Sequence, residues 1–242
     1  MAELRALIAA AGKGTRAGLP YPKTLFSIQG TPILVRLARL LDRYDPRPVV
    51  IVSPDGLAPI AECLADHAIE AELTVQDVPR GMGDAVLRFG ATSACSKADH
   101  VVLVWGDVPF IQPETLDEMI AKHLAANNDF TFATRHVDSA YTVVARDAAG
   151  RVTGVVETRE QGESAPQAGE RDIGLFVFRP GPVMDLLGQD LPGKLGKSTG
   201  EHGFLYVIGH LAAQGFRVAA LPIAREEDIV SLNSMSDIAA YL

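Results

Sequence analysis

Residues 7–23 read LIAAAGKGTRAGLPYPK, and the reading of this stretch decides the fold. An apolar run beginning at Leu4 ends in a glycine turn that carries Lys13 and Arg16, and Pro22-Lys23 follows. Leu4, Ala6, Leu7, Ile8 and Ala9 suit a strand buried on both faces. Gly12 and Gly14 let backbone N–H groups approach a polyphosphate closely, with nearby cations offsetting its charge. The turn therefore reads as a phosphate loop built on Ala10, Ala11, Gly12, Gly14 and Thr15. Two other glycine loops fit less well. Residues 12–17 formally satisfy G-x-G-x-x-A, but a dinucleotide site needs a helix opening on the glycines and an acidic residue about 20 positions later. Gly18, Pro20 and Pro22 break such a helix, and residues 31–41 hold no carboxylate. The Walker pattern G-x-x-x-x-G-K-[ST] does not occur.

Working outward, strand-like and helical periods alternate through the first half: strand 4–10, helix 32–44, strand 48–53, helix 57–67, strand 71–75, helix 84–94, strand 100–104 and helix 113–126. This is the order of a parallel sheet with helices on both faces. Thr31 is expected to cap the first helix, with Pro32 in its first turn. From residue 129 the pattern changes to strands at 130–135, 141–146, 151–157 and 172–178, which predicts an antiparallel or mixed extension suited to a second substrate. Residues 160–171 and 191–202 are rich in Gly, Ser, Pro and charge and read as mobile loops over the site. A helix at 204–214, a strand at 216–222 and a short helix from about Ser236 close the chain. The expected fold is α/β with three layers and a mostly parallel central sheet. We expect one domain over residues 1–242, with a nucleotide-binding half (1–128) and a second-substrate half (129–242).

At 242 residues and 48% hydrophobic content the chain can bury a full core. A formal charge of -8 argues against a general nucleic-acid or membrane-surface binder, while leaving room for a local basic pocket. No apolar run reaches the roughly 18 residues of a membrane span, so a cytoplasmic protein is expected. Cys63 and Cys95 lack metal-type spacing and are expected to be reduced. No histidine pair has ligand spacing, and no G-x-S-x-G elbow marks a hydrolase.

Asp107 follows the strand VVLV and Trp105-Gly106, at the carboxyl end of a central parallel strand, where open α/β sheets place ligands. Its alternative role is a cap on the turn before Pro109. Gln76 offers one planar donor and acceptor, followed by RGMGDA at 80–85, whose glycines either read a base edge or only turn the chain.

The loop AAGKGTR with PK, the GDVP at 106–109 and Gln76 with GMGDA resemble the sugar-1-phosphate nucleotidyltransferases, closest to the bacterial N-acetylglucosamine-1-phosphate uridylyltransferase domain. The resemblance spans nearly the whole chain. It implies a nucleotidyltransferase of Rossmann-like fold that takes UTP and a sugar 1-phosphate and uses Mg²⁺. It gives Arg16, Lys23 and Asp107 catalytic roles and makes Asp107 and Asn233 metal ligands, although an Asn before Ser and a helix start is more often a cap. Gln76, Gly81 and Gly83 would read uracil, with Met82 standing where the family has threonine. On the sugar side the resemblance assigns Glu157, from GRVTGVVE at 150–157, whose plainer reading is a solvated strand-end carboxylate. It also assigns Asp172 in place of an asparagine, Thr142 in an altered Y-G-R-I segment, and Glu201 without its usual partners. Three departures around one substrate imply an acceptor other than N-acetylglucosamine 1-phosphate. Alternatives are cytidylyl or guanylyl transfer to another phosphorylated small molecule, such as a polyol, amino alcohol or molybdopterin, or a non-catalytic nucleotide-binding module. The resembled enzyme continues into a β-helix acetyltransferase domain, so acetyl transfer is not expected here.

Overall fold

The computed structural model describes residues 2–12, 14, 17–161, 166 and 168–242, with backbone alone at 159 and 161. The strands are β1 (Leu4–Ala9), β2 (Ser27–Ile28), β3 (Thr31–Pro32), β4 (Val49–Val52), β5 (Glu72–Val75), β6 (His100–Trp105), β7 (Phe130–Val137), β8 (Thr142–Arg146), β9 (Val152–Glu157), β10 (Gly169–Phe178) and β11 (Val218–Leu221). The helices are α1 (Ile33–Leu41), α2 (Leu57–Asp66), α3 (Met82–Gly90), α4 (Ser93–Lys97), α5 (Pro113–Ala125), α6 (Thr158–Gln161), α7 (Pro180–Gly188) and α8 (Tyr206–Ala213).

Seven strands form one sheet in the order β11-β7-β10-β6-β1-β4-β5. Every neighbouring pair is parallel except the two made by β10, which runs against β6 and β7. Alternation explains the layers, because successive side chains of a strand face opposite ways. Ala6, Ile8, Val50, Val52, Val102 and Val104 share one core with Leu34 and Leu37 of α1, Ile60 of α2 and Leu116 of α5. Leu7, Val49, Ile51, Val101 and Leu103 share the other with Phe89 of α3, Leu187 of α7 and Ile208 of α8. The expected three-layer α/β architecture is the one observed.

The differences are local. Residues 130–135 and 172–178, expected in an extension, belong to the central sheet as β7 and β10. Phe130, Phe132, Phe176 and Phe178 are all fully buried there and stack on one another and on Phe204. Of the expected extension, β8 and β9 alone stand outside that sheet, as an antiparallel pair. The helix expected over 84–94 breaks, because Thr92 turns its hydroxyl to the Cys95 N–H and starts α4. Thr31 makes no cap for α1; it pairs in the β2–β3 hairpin, and Pro32 stands at the helix entry. The loop expected over 160–171 is shortened from both ends by α6 and β10. Residues 191–202 hold no helix or strand beyond the isolated bridge of Leu195 with His202. The closing helix is a 3-10 turn, Met235–Tyr241, capped reciprocally by Ser234 and Asp237. Among the described residues no helix is long and apolar enough to cross a membrane. Cys63 and Cys95 are both free.

Candidate active site

Parallel strands deliver their carboxyl ends to one edge of the sheet, and the chain leaves β1 and β6 there side by side. The Gly106 N–H donates to the Ala9 carbonyl at 2.9 Å. A Cβ on Gly106 would lie 2.6 Å from that carbonyl oxygen, so only glycine lets the two strand ends pinch together. The pinch sets Asp107 beside the N-terminal loop. Ala10 is buried and gives its N–H to the Ile51 carbonyl, whereas Ala11 is partly exposed. Gly14 takes a left-handed φ of +72° and accepts from the N–H groups of Ala17 and Leu19. A Cβ there would stand 2.9 Å from the Tyr21 carbonyl. Gly12 accepts from the Lys23 N–H at 3.4 Å and so ties the loop to the following turn. Thr15 and Arg16 lie outside the described residues.

Lys23 is the joint of the site. Its Nζ lies 2.6 Å from Asp107 Oδ2 and donates to the Leu232 carbonyl at 3.0 Å. Leu232 returns an N–H to the Asp107 backbone carbonyl at 2.8 Å. Three segments far apart in sequence, around residues 23, 107 and 232, therefore meet at one ammonium. Asn233 comes next, its amide nitrogen bonded to Ser231 Oγ at 2.8 Å, which turns the amide oxygen away from that contact. Lys23 and Asp107 are both mostly buried, which strengthens their attraction over that of a solvated pair.

Mg²⁺ takes oxygen ligands and commonly only one or two from the protein, the rest coming from phosphates and water. The Asp107 carboxylate and the Asn233 amide oxygen supply such a donor pair on adjoining segments. Among the described residues there is no cluster of three or more His, Cys, Asp or Glu side chains fit to hold a metal, which such a two-ligand site does not require.

Where the resemblance expects a base contact, Gln76 directly follows β5 and is 3% exposed. Its amide nitrogen donates to the Gly81 carbonyl at 3.0 Å and to Asp84 Oδ2 at 2.9 Å. Gly81, at φ +106°, and Gly83 are required by the backbone of residues 202–203. Added Cβ atoms would stand 2.4 Å from the His202 carbonyl and 2.1 Å from that of Gly203. The Gly83 N–H is already given to His202. Met82, the first residue of α3, is partly buried against the core that holds Phe89. Glu201 is exposed, but its Cβ abuts Gly81, so the loop expected on the sugar side also walls the base side. Burial pushes the His202 imidazole below its usual range, and burial with the nearby Asp190 carries the Tyr206 hydroxyl up to about 12.

The remaining assigned residues cluster on β8, β9 and β10. Thr142 and Glu157 are cross-strand partners, and Glu157 Oε1 lies near Gly203. The Thr142 hydroxyl donates to Asp172 Oδ1, and the Gly174 N–H donates to Asp172 Oδ2 at 3.0 Å. Asp172 is 3% exposed, and burial raises its pKa above the ordinary carboxylate range. Both of its oxygens are spent inside the protein. Gly174, at φ +75°, lies against the Trp105 ring and so links this region to the strand that carries Asp107. Glu160 accepts from the Ser198 hydroxyl at 2.6 Å and N–H at 3.0 Å, which ties α6 to residues 191–202. The sequence reading gave no role to Asp84, Glu160 or His202. The only signal for Asp84 was its place in the glycine motif.

The chain is similar to known proteins over most of its length. The model of the MobA-like NTP transferase domain matches residues 6–171. The bifunctional protein GlmU of Streptomyces coelicolor is 31% identical over 237 residues, covering 96% of this chain and 48% of that protein. GlmU of Leifsonia xyli is 30% identical over 244 residues, covering 99% and 50%. The chain thus spans about half the length of these curated relatives. Among solved structures, one from Bacillus anthracis, assigned as a glucose-1-phosphate thymidylyltransferase in complex with a sucrose, superposes with a TM-score of 0.77. Its identity is 13%, with 98% of this chain and 93% of that one covered. HddC from Yersinia pseudotuberculosis superposes at 0.69 with 18% identity, covering 100% and 98%. At these identities the superpositions speak for the fold alone.

Proposed function

The chain belongs to the MobA-like NTP transferase domain family, and from that premise we propose that it transfers a nucleotidyl group, uridylyl from UTP, to a sugar 1-phosphate. In the proposed reaction an acceptor phosphate oxygen attacks the α-phosphorus in line. The bond from that phosphorus to the oxygen bridging to the β-phosphate breaks, and pyrophosphate leaves with the bond's electron pair. No covalent enzyme intermediate is needed. Positioning and charge neutralisation carry such a transfer.

The observation that carries the reading is the convergence of Lys23, Asp107 and the 231–233 segment beside the glycine loop. Lys23 neutralises charge at the α-phosphate and the acceptor phosphate, and Arg16 holds the departing pyrophosphate with the loop's N–H groups. Asp107 and Asn233 would hold Mg²⁺, which when bound neutralises phosphate charge and orients the two substrates. The likeness of Gln76 and the glycines at 81 and 83 to a uracil-reading motif favours a pyrimidine nucleotide. A nucleotide panel of UTP, dTTP, CTP and GTP, run with Mg²⁺ against sugar 1-phosphates and followed by pyrophosphate release, tests this. Turnover with UTP or dTTP supports it. Nucleotide binding without pyrophosphate release across the panel would leave a non-catalytic binding module instead.

One observation favours a departure from the resembled acceptor. The family's asparagine is Asp172 here, and its oxygens are occupied by Thr142 and Gly174. We therefore place the acceptor among sugar phosphates other than N-acetylglucosamine 1-phosphate, with Glu157 at the sugar hydroxyls.

A further inference from the structure

Gln76 is buried to all but 3%, and both of its fixed contacts are to acceptors: the Gly81 carbonyl and the Asp84 carboxylate. A primary amide can meet two acceptors only with its nitrogen, so its oxygen must face the other way. That oxygen has no hydrogen-bond partner among the described residues. It faces away from both the Gly81 carbonyl and the Asp84 carboxylate. Asp84 stands in the first turn of α3, where the exposed N–H groups of the helix favour a negative charge, and Arg88 lies 3.6 Å from its Oδ2.

We infer that Asp84 is a positioning residue for base selection: by holding the Gln76 amide nitrogen, it presents Gln76 Oε1 to the base as a fixed acceptor. Such an acceptor pairs with a ring N–H. Uracil and thymine carry one at N3, whereas cytosine has a bare lone pair at N3 and is repelled. The inference rests on the proposed nucleotide site and adds to it a residue that touches no ligand. It also identifies what replaces the hydroxyl missing at Met82. Selectivity comes from a locked amide rather than from an added donor.

The test compares UDP with CDP by titration calorimetry, alongside kcat and KM for UTP and CTP, in the full chain. The wild type prefers uridine. Asp84→Asn, which can offer either a donor or an acceptor to Gln76, should cut the uridine-to-cytidine ratio by about tenfold. The change should fall in KM, with kcat for UTP within about threefold, because the reacting phosphates are held elsewhere. Asp84→Glu, which keeps an acceptor, should restore most of the preference, and Gln76→Ala should lose it. An unchanged ratio in Asp84→Asn, or equal weakening of both nucleotides, overturns the inference. So does a wild type that binds both bases alike, although the functional reading survives that result. A wild type that binds no nucleotide defeats the functional reading itself, and this inference with it.

Discussion

The proposed nucleotide side and the proposed acceptor side of the site differ in where their polar atoms are directed. At the first, Lys23, Asp107 and Leu232 bind one another across 84 and 209 residues of sequence separation, and the Gln76 and Asn233 amides each turn an oxygen away from their protein partners. At the second, Asp172 is closed over by Thr142 and Gly174. A site that must receive charged phosphates keeps strong groups near its opening. A carboxylate with both oxygens satisfied inside the protein has become part of the framework. The lesson is that a residue standing where a family has a ligand contact can serve the fold instead.

The largest expected effect would break this comparison outright. Lys23→Ala or Asp107→Ala should lower pyrophosphate release by about a hundredfold or more. Near-normal turnover would place the chemistry elsewhere. The converse applies to Asp172. Asp172→Ala leaves the Gly174 N–H and the Thr142 hydroxyl buried without a partner and should cost about 1–3 kcal/mol in urea denaturation, with little effect on acceptor KM. Asp172→Asn, neutral like the carboxyl that burial favours, should retain the stability. A large KM change with unchanged stability would return Asp172 to the substrate.

A third prediction uses a region that belongs to neither side. Near the end of α5, His123 Nε2 lies 2.9 Å from His100 Nδ1 at the start of β6, and its Nδ1 lies 2.9 Å from Thr131 Oγ1 near the start of β7, all three residues buried. Burial first, then the neighbouring His100 and Arg179, lower the His123 pKa to about 3. The folded protein holds this imidazole neutral, whereas the unfolded chain protonates it near its ordinary value of about 6.5. Its contribution is therefore complete above that pH and is lost as pH falls from there toward 3. His123→Gln should flatten that part of a stability-versus-pH series without shifting the pH profile of turnover. The smallest expected effect is at Glu160. Removing its bonds to Ser198 with Glu160→Ala should raise acceptor KM about threefold to fivefold and leave nucleotide KM unchanged. Equal changes in both would show that residues 191–202 serve the base as much as the acceptor.

What could be read from sequence follows from the same physics. Parallel order, the two-faced core strands and the meeting of Lys23 with Asp107 were legible, because strand periodicity and the carboxyl-edge rule place residues without knowledge of side-chain contacts. Helix α7 was given no place in the sequence reading, although Pro180 stands in its first turn, where a proline costs a helix no hydrogen bond. The central positions of β7 and β10 were hidden because their short polar flanks resemble those of a solvent-facing hairpin. The closure of Asp172 and the grip of Asp84 on Gln76 were out of reach. Each depends on which way a side chain turns toward a partner in another segment, and neither periodicity nor spacing encodes that.

The reversed direction of β10 has a consequence for how such a molecule can diverge. Val137, the last residue of β7, pairs with Gly169, the first of β10, so the excursion carrying Thr142, Glu157 and Glu160 begins and ends at adjacent points on one rim. It is a stem with clamped feet. Such a stem can be exchanged without moving the β7–β10 register at its feet, and on the proposed function a new acceptor can be acquired while the meeting of Lys23 with Asp107 is inherited intact.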